Sequence, residues 1–171
     1  MLRETDGRVA IIATTLDLLA AEEVSADALA RRLGVSPASE WPPEFNGPDY
    51  RDWQRSVLAA HPDEPGFAGW YVIGAGELVG TAGFKGPPDP RGTVEIGYSI
   101  IPSRRRRGFA AAAVSLLVRH AFADPRVHVV AAETLPDGVA SQAVLRANAF
   151  IPAGSRIDPE DGEVMRFVRG R

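Results

Sequence analysis

Hydrophobic positions recur along the chain with two different spacings, which predicts a mixture of helices and strands. The longest regular pattern lies in residues 108–123, where small and aliphatic residues fall on one helical face: Ala110, Ala113, Val114, Leu117, Val118 and Ala121. In residues 94–101, just before it, apolar side chains occupy every second position, as in a strand with one buried face: Val94, Ile96, Tyr98 and Ile100. We therefore expect a strand that leads directly into a buried helix.

The remaining predicted elements are separated by loops rich in proline and glycine. Helices are predicted over 16–23, 26–34, 48–61 and 139–148, and strands over 8–14, 69–74, 77–84 and 127–135. A hairpin turning at Asp161-Gly162 is predicted to end the chain. This order of elements predicts one domain over residues 1–171, of the α/β or α+β class with a mixed sheet.

Composition narrows the classes of function. The net charge of −3 gives no bulk attraction to nucleic acid or to an anionic membrane. The chain has no cysteine, and its three histidines lack the spacing of metal ligands, so we expect no metal site. Asp17 interrupts the apolar stretch of residues 9–21, and no apolar run approaches the roughly 20 residues of a membrane span. We expect a soluble, cytoplasmic protein without a membrane partner.

Four arginines, Arg104 to Arg107, lie at the turn between the strand and the long helix. The first interpretation is a solvated turn. The second is a nucleic-acid site, which gains some support because residues 25–39 resemble the start of a helix-turn-helix. Pro42 and Pro43 leave too little room there for a recognition helix, however, so nucleic acid is not an expected partner. The third interpretation is an anion site, because the start of a helix presents free N–H groups at its positive end and Gly108 permits close approach.

The segment Arg105-x-x-Gly108-x-Ala110 resembles the Gln/Arg-x-x-Gly-x-Gly/Ala signature of the GNAT (Gcn5-related) N-acetyltransferase superfamily. Its surroundings are similar as well: "VEIGYSII" precedes it, and "AETLPDGVASQAVLRANAF" follows it. Within this superfamily, the sequence pattern of the chain is similar to that of the ribosomal-protein N-terminal alanine acetyltransferases. The resemblance implies a mixed, mostly antiparallel sheet of about six or seven strands, with splayed central strands and about four or five flanking helices. It also implies acetyl-CoA as cosubstrate and direct transfer of its acetyl group to a primary amine in a ternary complex.

The resemblance also implies which residues bind acetyl-CoA. Backbone groups of Ile100 and Ile101 would pair with the pantetheine arm, unless these residues serve only as core. The turn at Arg105 to Ala110 would hold the diphosphate. Gly138 and Ser141, near the start of the next helix, would also contact acetyl-CoA. The expected cosubstrate-binding residues are Ile100, Ile101, Arg105, Arg106, Arg107, Gly108, Phe109, Ala110, Gly138 and Ser141. Two positions depart from the family pattern, since Leu145 replaces a tyrosine and Gly138 a common asparagine.

Acetyl transfer needs a deprotonated amine and a stabilised thiolate leaving group. Glu95 is the first candidate for the base, because it shares a strand face with Gly97 and Ser99, although it could equally form a surface ion pair. Glu133 on the neighbouring strand is the second candidate. Ser141 is expected to hydrogen-bond the leaving sulfur, because a serine hydroxyl is a poor acid.

The acceptor side is expected in the N-terminal helical part, about 15–61, beside a CoA-binding core at 70–168. Trp41 and Phe45 are the predicted acceptor-groove residues, together with Glu95, whereas helical spacing predicts Trp53 to be core. The acceptor stays open between a small molecule and a peptide amine. A non-catalytic acyl-CoA-binding or sensing module is the alternative function, and a homodimer is possible on general grounds.

Overall fold

One eight-stranded sheet with helices on both faces organises the computed structural model, which describes residues 1–171. The strands are β1 Arg3–Thr5, β2 Val9–Ala13, β3 Gly69–Gly74, β4 Glu77–Phe84, β5 Thr93–Ile100, β6 Val129–Thr134, β7 Ile151–Asp158 and β8 Gly162–Gly170. The helices are α1 Leu16–Val24, α2 Ala26–Leu33, α3 Pro48–Ala60, α4 Phe109–Ala123 and α5 Val139–Ala147. None of them has the length and hydropathy that crossing a membrane requires.

The strand order is β1-β2-β3-β4-β5-β6-β8-β7, and every neighbouring pair is antiparallel except β5 and β6. This parallel pair is also short, since it joins only 93–96 to 129–132. Beyond Ile96 the two strands separate, although β5 continues to Ile100. The predicted mixed sheet with splayed central strands is therefore confirmed, and the splay lies at the centre of the sheet.

The alternating pattern of the strands divides the core into two layers. Odd-numbered residues of β2, such as Val9 and Ile11, pack with α4 on one face. Even-numbered residues, Ala10 and Ile12, pack with α1 and α2 on the other face. Helix α4 buries most of the predicted stripe, because alanine at Ala113 and Ala121 lets the helix lie close to the sheet.

The helix ends follow the predicted signals closely. Helix α2 ends at Leu33 because Gly34 adopts φ 70, a left-handed conformation that favours glycine. Pro48 begins α3 at its first turn, where its missing N–H costs nothing.

Strand β1 was not predicted, because its three residues, RET, carry no alternating pattern. The sheet therefore has eight strands where six or seven were expected.

Candidate active site

The splay between β5 and β6 opens a cavity of about 980 Å³, which we call the groove. It runs from the start of α4 to the start of α5, and most of the predicted cosubstrate-binding residues line it. These are Ile100, Arg105, Arg106, Gly108, Phe109, Ala110, Gly138 and Ser141. The sequence pattern located these residues because they follow one another at two strand-to-helix junctions.

The turn before α4 presents a row of free backbone donors to the groove. Arg106 and Gly108 have φ values of 58 and 81, and this left-handed geometry turns successive N–H groups to one side. None of the backbone N–H groups from Arg106 to Ala111 donates to a protein acceptor. No acidic side chain lies in the first turn of α4 either. The positive end of a long helix and this row of donors together supply the features that an anion site requires.

The arginine side chains of the turn have different partners. Arg104 pairs with Glu77 at 2.6 Å, and Arg105 pairs with Glu44 at 2.8 Å. Arg105 also donates from Nε to the carbonyl of Ile100. Arg107 does not line the groove, which differs from the prediction for its side chain. Only Arg106 both lines the groove and has no side-chain partner.

The backbone groups of β5 that point towards the splay belong to Tyr98 and Ile100, whereas Ile100 and Ile101 were predicted. Glu95 accepts from the N–H of Lys85 on the β4 side, and Ile101 donates to Val79 on the same side. Since backbone groups alternate along a strand, those of Tyr98 and Ile100 point towards the splay. The prediction for Ile101 is wrong, because its carbonyl also accepts a backbone N–H and its side chain is fully buried.

Tyr98 was missed as a site residue, because its spacing matched the buried stripe of β5. Its Oη lies 2.9 Å from Oγ of Ser141 and 3.1 Å from the carbonyl oxygen of Ser141. Burial raises the pKa of Tyr98 to about 12. Two protonated hydroxyl groups are thus held together in the wall of the groove.

The two candidate bases have different surroundings. Oε1 of Glu95 pairs with the ammonium of Lys85, and Oε2 lies 3.9 Å from Nη1 of Arg166. Glu133 is bound by two nitrogens of Arg156, at 2.6 and 2.9 Å, and lies 3.4 Å from Arg166. The hydrogen bonds from Arg156 lower the pKa of Glu133. Because both of its oxygens are engaged by Arg156 and its pKa is lowered, Glu133 is a weak proton acceptor.

A second cavity, of about 610 Å³, adjoins the groove, and we call it the side cavity. It lies between α3, the loop before it, and the open face of β4 and β5. The residues that line it are Phe45, Asn46, Tyr50, Trp53, Thr81, Gly83, Phe84, Lys85, Gly97, Tyr98 and Ser99. The groove and the side cavity share Phe45, Lys85, Tyr98 and Ser99, so the two cavities meet at these residues.

The structure exchanges the predicted positions of two tryptophans. Trp41 lines neither cavity; its Nε1 donates to Glu22 at 2.9 Å and its ring packs against Tyr71. Trp53, expected in the core, lines the side cavity with 37% of its surface exposed. The reason is Glu22, a buried carboxylate that needs hydrogen-bond donors and receives them from Trp41 and Tyr71. Phe45 lines both cavities and therefore lies at their junction.

Comparison with known proteins identifies the family. The acetyltransferase (GNAT) domain matches residues 15–151, which is most of the chain. The chain belongs to the GNAT acetyltransferase family. The uncharacterized N-acetyltransferase YjdG of Bacillus subtilis (strain 168) is 31% identical over 125 residues, covering 71% of this chain and 73% of YjdG. YoaA of the same strain, also an uncharacterized N-acetyltransferase, is 35% identical over 78 residues, 46% of this chain and 44% of YoaA.

Solved GNAT structures agree in fold. RimL, a ribosomal L7/L12 α-N-protein acetyltransferase in complex with coenzyme A, has TM-score 0.72 and 18% identity over 98% of this chain and 96% of RimL. The microcin C7 self-immunity acetyltransferase MccE, in complex with acetyl-CoA and AMP, has TM-score 0.71 and 13% identity over 97% and 94%. The ribosomal-protein-S5-alanine acetyltransferase of Vibrio fischeri has TM-score 0.71 and 16% identity over 99% and 97%. The predicted family is confirmed, and the protein is an N-acetyltransferase.

The departures from the GNAT pattern have structural reasons. A Cβ at Gly138 would collide with Oγ1 of Thr134 and lie 3.0 Å from the carbonyl of Leu135, so asparagine does not fit there. Leu145 is fully buried in the core beneath α5, so no tyrosine hydroxyl is available at that position. The hydroxyl groups beside the groove come instead from Tyr98 on β5 and Ser141 on α5.

Proposed function

We propose that this GNAT enzyme binds acetyl-CoA in the groove and transfers the acetyl group directly to a primary amine held in the side cavity. The observation that carries the proposal is the junction of the two cavities at Tyr98 and Ser99, directly beside a row of free N–H groups. Direct transfer requires both substrates to meet at one point, and the residues that line both cavities offer such a point. The complexes of RimL with CoA and of MccE with acetyl-CoA support the choice of cosubstrate.

The turn before α4 holds the diphosphate in this proposal. The N–H groups from Arg106 to Ala111 would donate to its oxygens, and Arg106 would supply a free guanidinium. Backbone groups of Tyr98 and Ile100 would pair with the amides of the pantetheine arm, as an added strand does. This arrangement directs the thioester, which supplies the activated acetyl group, towards Tyr98 and Ser141.

Glu95 is our candidate for the base that takes a proton from the acceptor's ammonium group, directly or through water, so that the neutral amine can attack the thioester. It lies on the strand face of Gly97 and Ser99, which line the side cavity, and its partner Lys85 lines both cavities. Glu133 is less suited, since the hydrogen bonds from Arg156 lower its pKa and so make it a weaker base. In this scheme Glu133 instead fixes the position of β6 relative to the final hairpin.

Ser141 is our candidate for stabilising the leaving thiolate. Tyr98 has one hydroxyl proton, which faces both the carbonyl oxygen and Oγ of Ser141. In this scheme the proton turns to Oγ when the thioester is bound, and the proton of Ser141 is then free to point at the sulfur. The raised pKa of Tyr98 keeps this donor protonated at neutral pH. Tyr98 is therefore a positioning residue, and Ser141 contacts the reacting atoms.

The test is acetyl transfer by the purified protein to a panel of primary amines. We expect free CoA thiol and acetylated amine to form in equal amounts, and Glu95→Gln to lower kcat by about 100-fold or more. Retained binding of acetyl-CoA in that variant would separate loss of chemistry from loss of fold. Binding without any turnover, in both proteins, would favour the acyl-CoA-sensing alternative.

A further inference from the structure

The side cavity has a wall of aromatic rings. Tyr50 and Trp53 lie with ring centroids 5.8 Å apart, and Phe45 is the third aromatic residue on this side, whereas the Phe84 ring is buried in the core against Phe67. Phe45 is 89% exposed and holds φ 65, in the left-handed region that non-glycine residues rarely adopt. An aromatic ring held exposed in this way, at the junction of two cavities, is placed for contact with a ligand rather than with the core.

The side cavity offers no free carboxylate. Lys85 is the one charged residue among those lining it. Its charge is paired with Glu95, the nearest acid on the same strand face. A second ammonium group on the acceptor would therefore lose water without gaining a partner of opposite charge, which costs affinity. Polyamines and aminoglycosides, which carry several ammonium groups, are disfavoured for this reason.

The floor of the side cavity is open at one glycine. A Cβ built at Gly97 meets no atom within 4 Å, although Gly97 lies in the middle of β5. At Gly83, which also lines the cavity, a Cβ would lie 2.7 Å from Gly69 and 2.8 Å from the carbonyl of Ala68. Gly83 is thus explained by packing within the sheet. Gly97 is not, so the space above it is available to a ligand.

We propose, building on the acetyl transfer proposed above, that the acceptor is a primary monoamine with a flat apolar body. Its ring lies between the Tyr50–Trp53 wall and the floor at Gly97, and its amine points at the junction beside Tyr98. The volume of about 610 Å³ suits one such molecule or the first residues of a chain. The chemistry can come from a free arylalkylamine or from a peptide with an aromatic N-terminal residue.

The experiment compares three acceptors with the full-length protein: 2-phenylethylamine, the peptide Phe-Ala-Gly and spermidine. We expect one of the two aromatic acceptors to exceed spermidine in kcat/KM by about tenfold or more, because it gains a buried apolar contact and brings no second ammonium group into a cavity without a free carboxylate. The better aromatic acceptor identifies the source. Equal or greater activity with spermidine would overturn the inference while leaving acetyl transfer intact.

Gly97→Leu tests the location. It should raise KM for the better aromatic acceptor by about tenfold, because the new side chain fills the space that the ring occupies. The Kd for CoA should change by less than about twofold. Gly97→Ala should give a smaller rise in the same direction. The matched control is Gly170→Leu, a strand glycine that also has no neighbour within 4 Å of its Cβ but lines neither cavity. An unchanged aromatic KM in Gly97→Leu would overturn the proposal. If no amine in the panel were acetylated by wild type, the proposed function itself would fail.

Discussion

Gly108 shows how one residue controls the anion site. Its φ of 81 is readily reached by glycine, whereas a β-branched side chain strains it. A Cβ at Gly108 would meet only Arg8 Nη2, at 3.6 Å, so the obstacle is the backbone conformation and not a collision. The conformation directs the free N–H groups of the turn into the groove.

Gly108→Val should therefore lower the affinity for CoA by about 30-fold or more, since several charge-assisted hydrogen bonds depend on this geometry. Arg104→Ala should lower it by less than about threefold, because the Arg104 side chain pairs with Glu77. Calorimetric titration with CoA measures both. Gly162→Val, at another glycine with φ 76 in the final hairpin, controls for strain alone. Equal losses from Gly108→Val and Arg104→Ala would contradict this view of the turn.

The hydroxyl pair of Tyr98 and Ser141 gives a second prediction at this scale. Ser141→Ala should lower kcat by about 10- to 100-fold, the value of a hydrogen bond to a charged group. Tyr98→Phe should lower kcat by about three- to tenfold, with KM for acetyl-CoA changed less than about twofold. Because burial raises the pKa of Tyr98 to about 12, its contribution should persist between about pH 7 and 10. A raised KM with unchanged kcat in Tyr98→Phe would indicate packing instead.

At the scale of elements, the loop before α3 is tied to the turn before α4. Glu40 accepts from the backbone N–H of Ser103 at 3.0 Å, and Glu44 pairs with Arg105 at 2.8 Å. Phe45, which reaches both cavities, directly follows Glu44. The side cavity and the groove are thus connected through side chains that no local sequence pattern joins.

Glu44→Gln should raise the affinity for CoA by up to about fivefold, because the carboxylate no longer competes with phosphate for Arg105 and an exposed ion pair is worth about 0–1 kcal/mol. The effect should shrink at high salt. Glu23→Gln is the matched control, since Glu23 forms an exposed pair with Arg55 that lines neither cavity. A weaker affinity in Glu44→Gln would mean that the pair supports the turn instead of competing with the ligand.

Elements with a regular period were predictable, and tertiary partners were not. The bounds of α4 and α5 and the groove residues at their starts follow from local spacing and from glycine positions. The exchange of Trp41 and Trp53 depends on Glu22, whose burial no local pattern reveals. Ile101 was misassigned for a similar reason, since the pairing of β5 with β4 decides which backbone groups are free.

At the scale of the whole molecule, Glu22 links the helices to the sheet. It lies on α1 and accepts hydrogen bonds from Tyr71 on β3, at 2.7 Å, and from Trp41, at 2.9 Å. Burial raises the pKa of the Glu22 carboxyl above its ordinary value. As pH rises, Glu22 therefore loses its proton at a lower pH in the unfolded chain than in the folded protein.

The free energy of unfolding should therefore fall as pH rises. The fall should begin near pH 4.5, the ordinary pKa of a glutamate, and end above the raised pKa of Glu22 in the folded protein. Glu22→Gln cannot titrate, so the stability difference between wild type and this variant should move in favour of the variant across that window and level off above it. Urea unfolding of both proteins over a series of pH values measures the difference. A difference that does not vary with pH would contradict a raised pKa for Glu22.

The central claim is that the free N–H groups before α4 and the splayed end of β5 hold acetyl-CoA beside the side cavity. Amide NMR of the ¹⁵N-labelled protein during titration with CoA tests it most directly. We predict the largest shifts at the N–H groups from Arg106 to Ala111 and at Tyr98 and Ile100, with Ile101 much less affected. Shifts confined to residues outside the groove, or none at saturating CoA, would contradict the account.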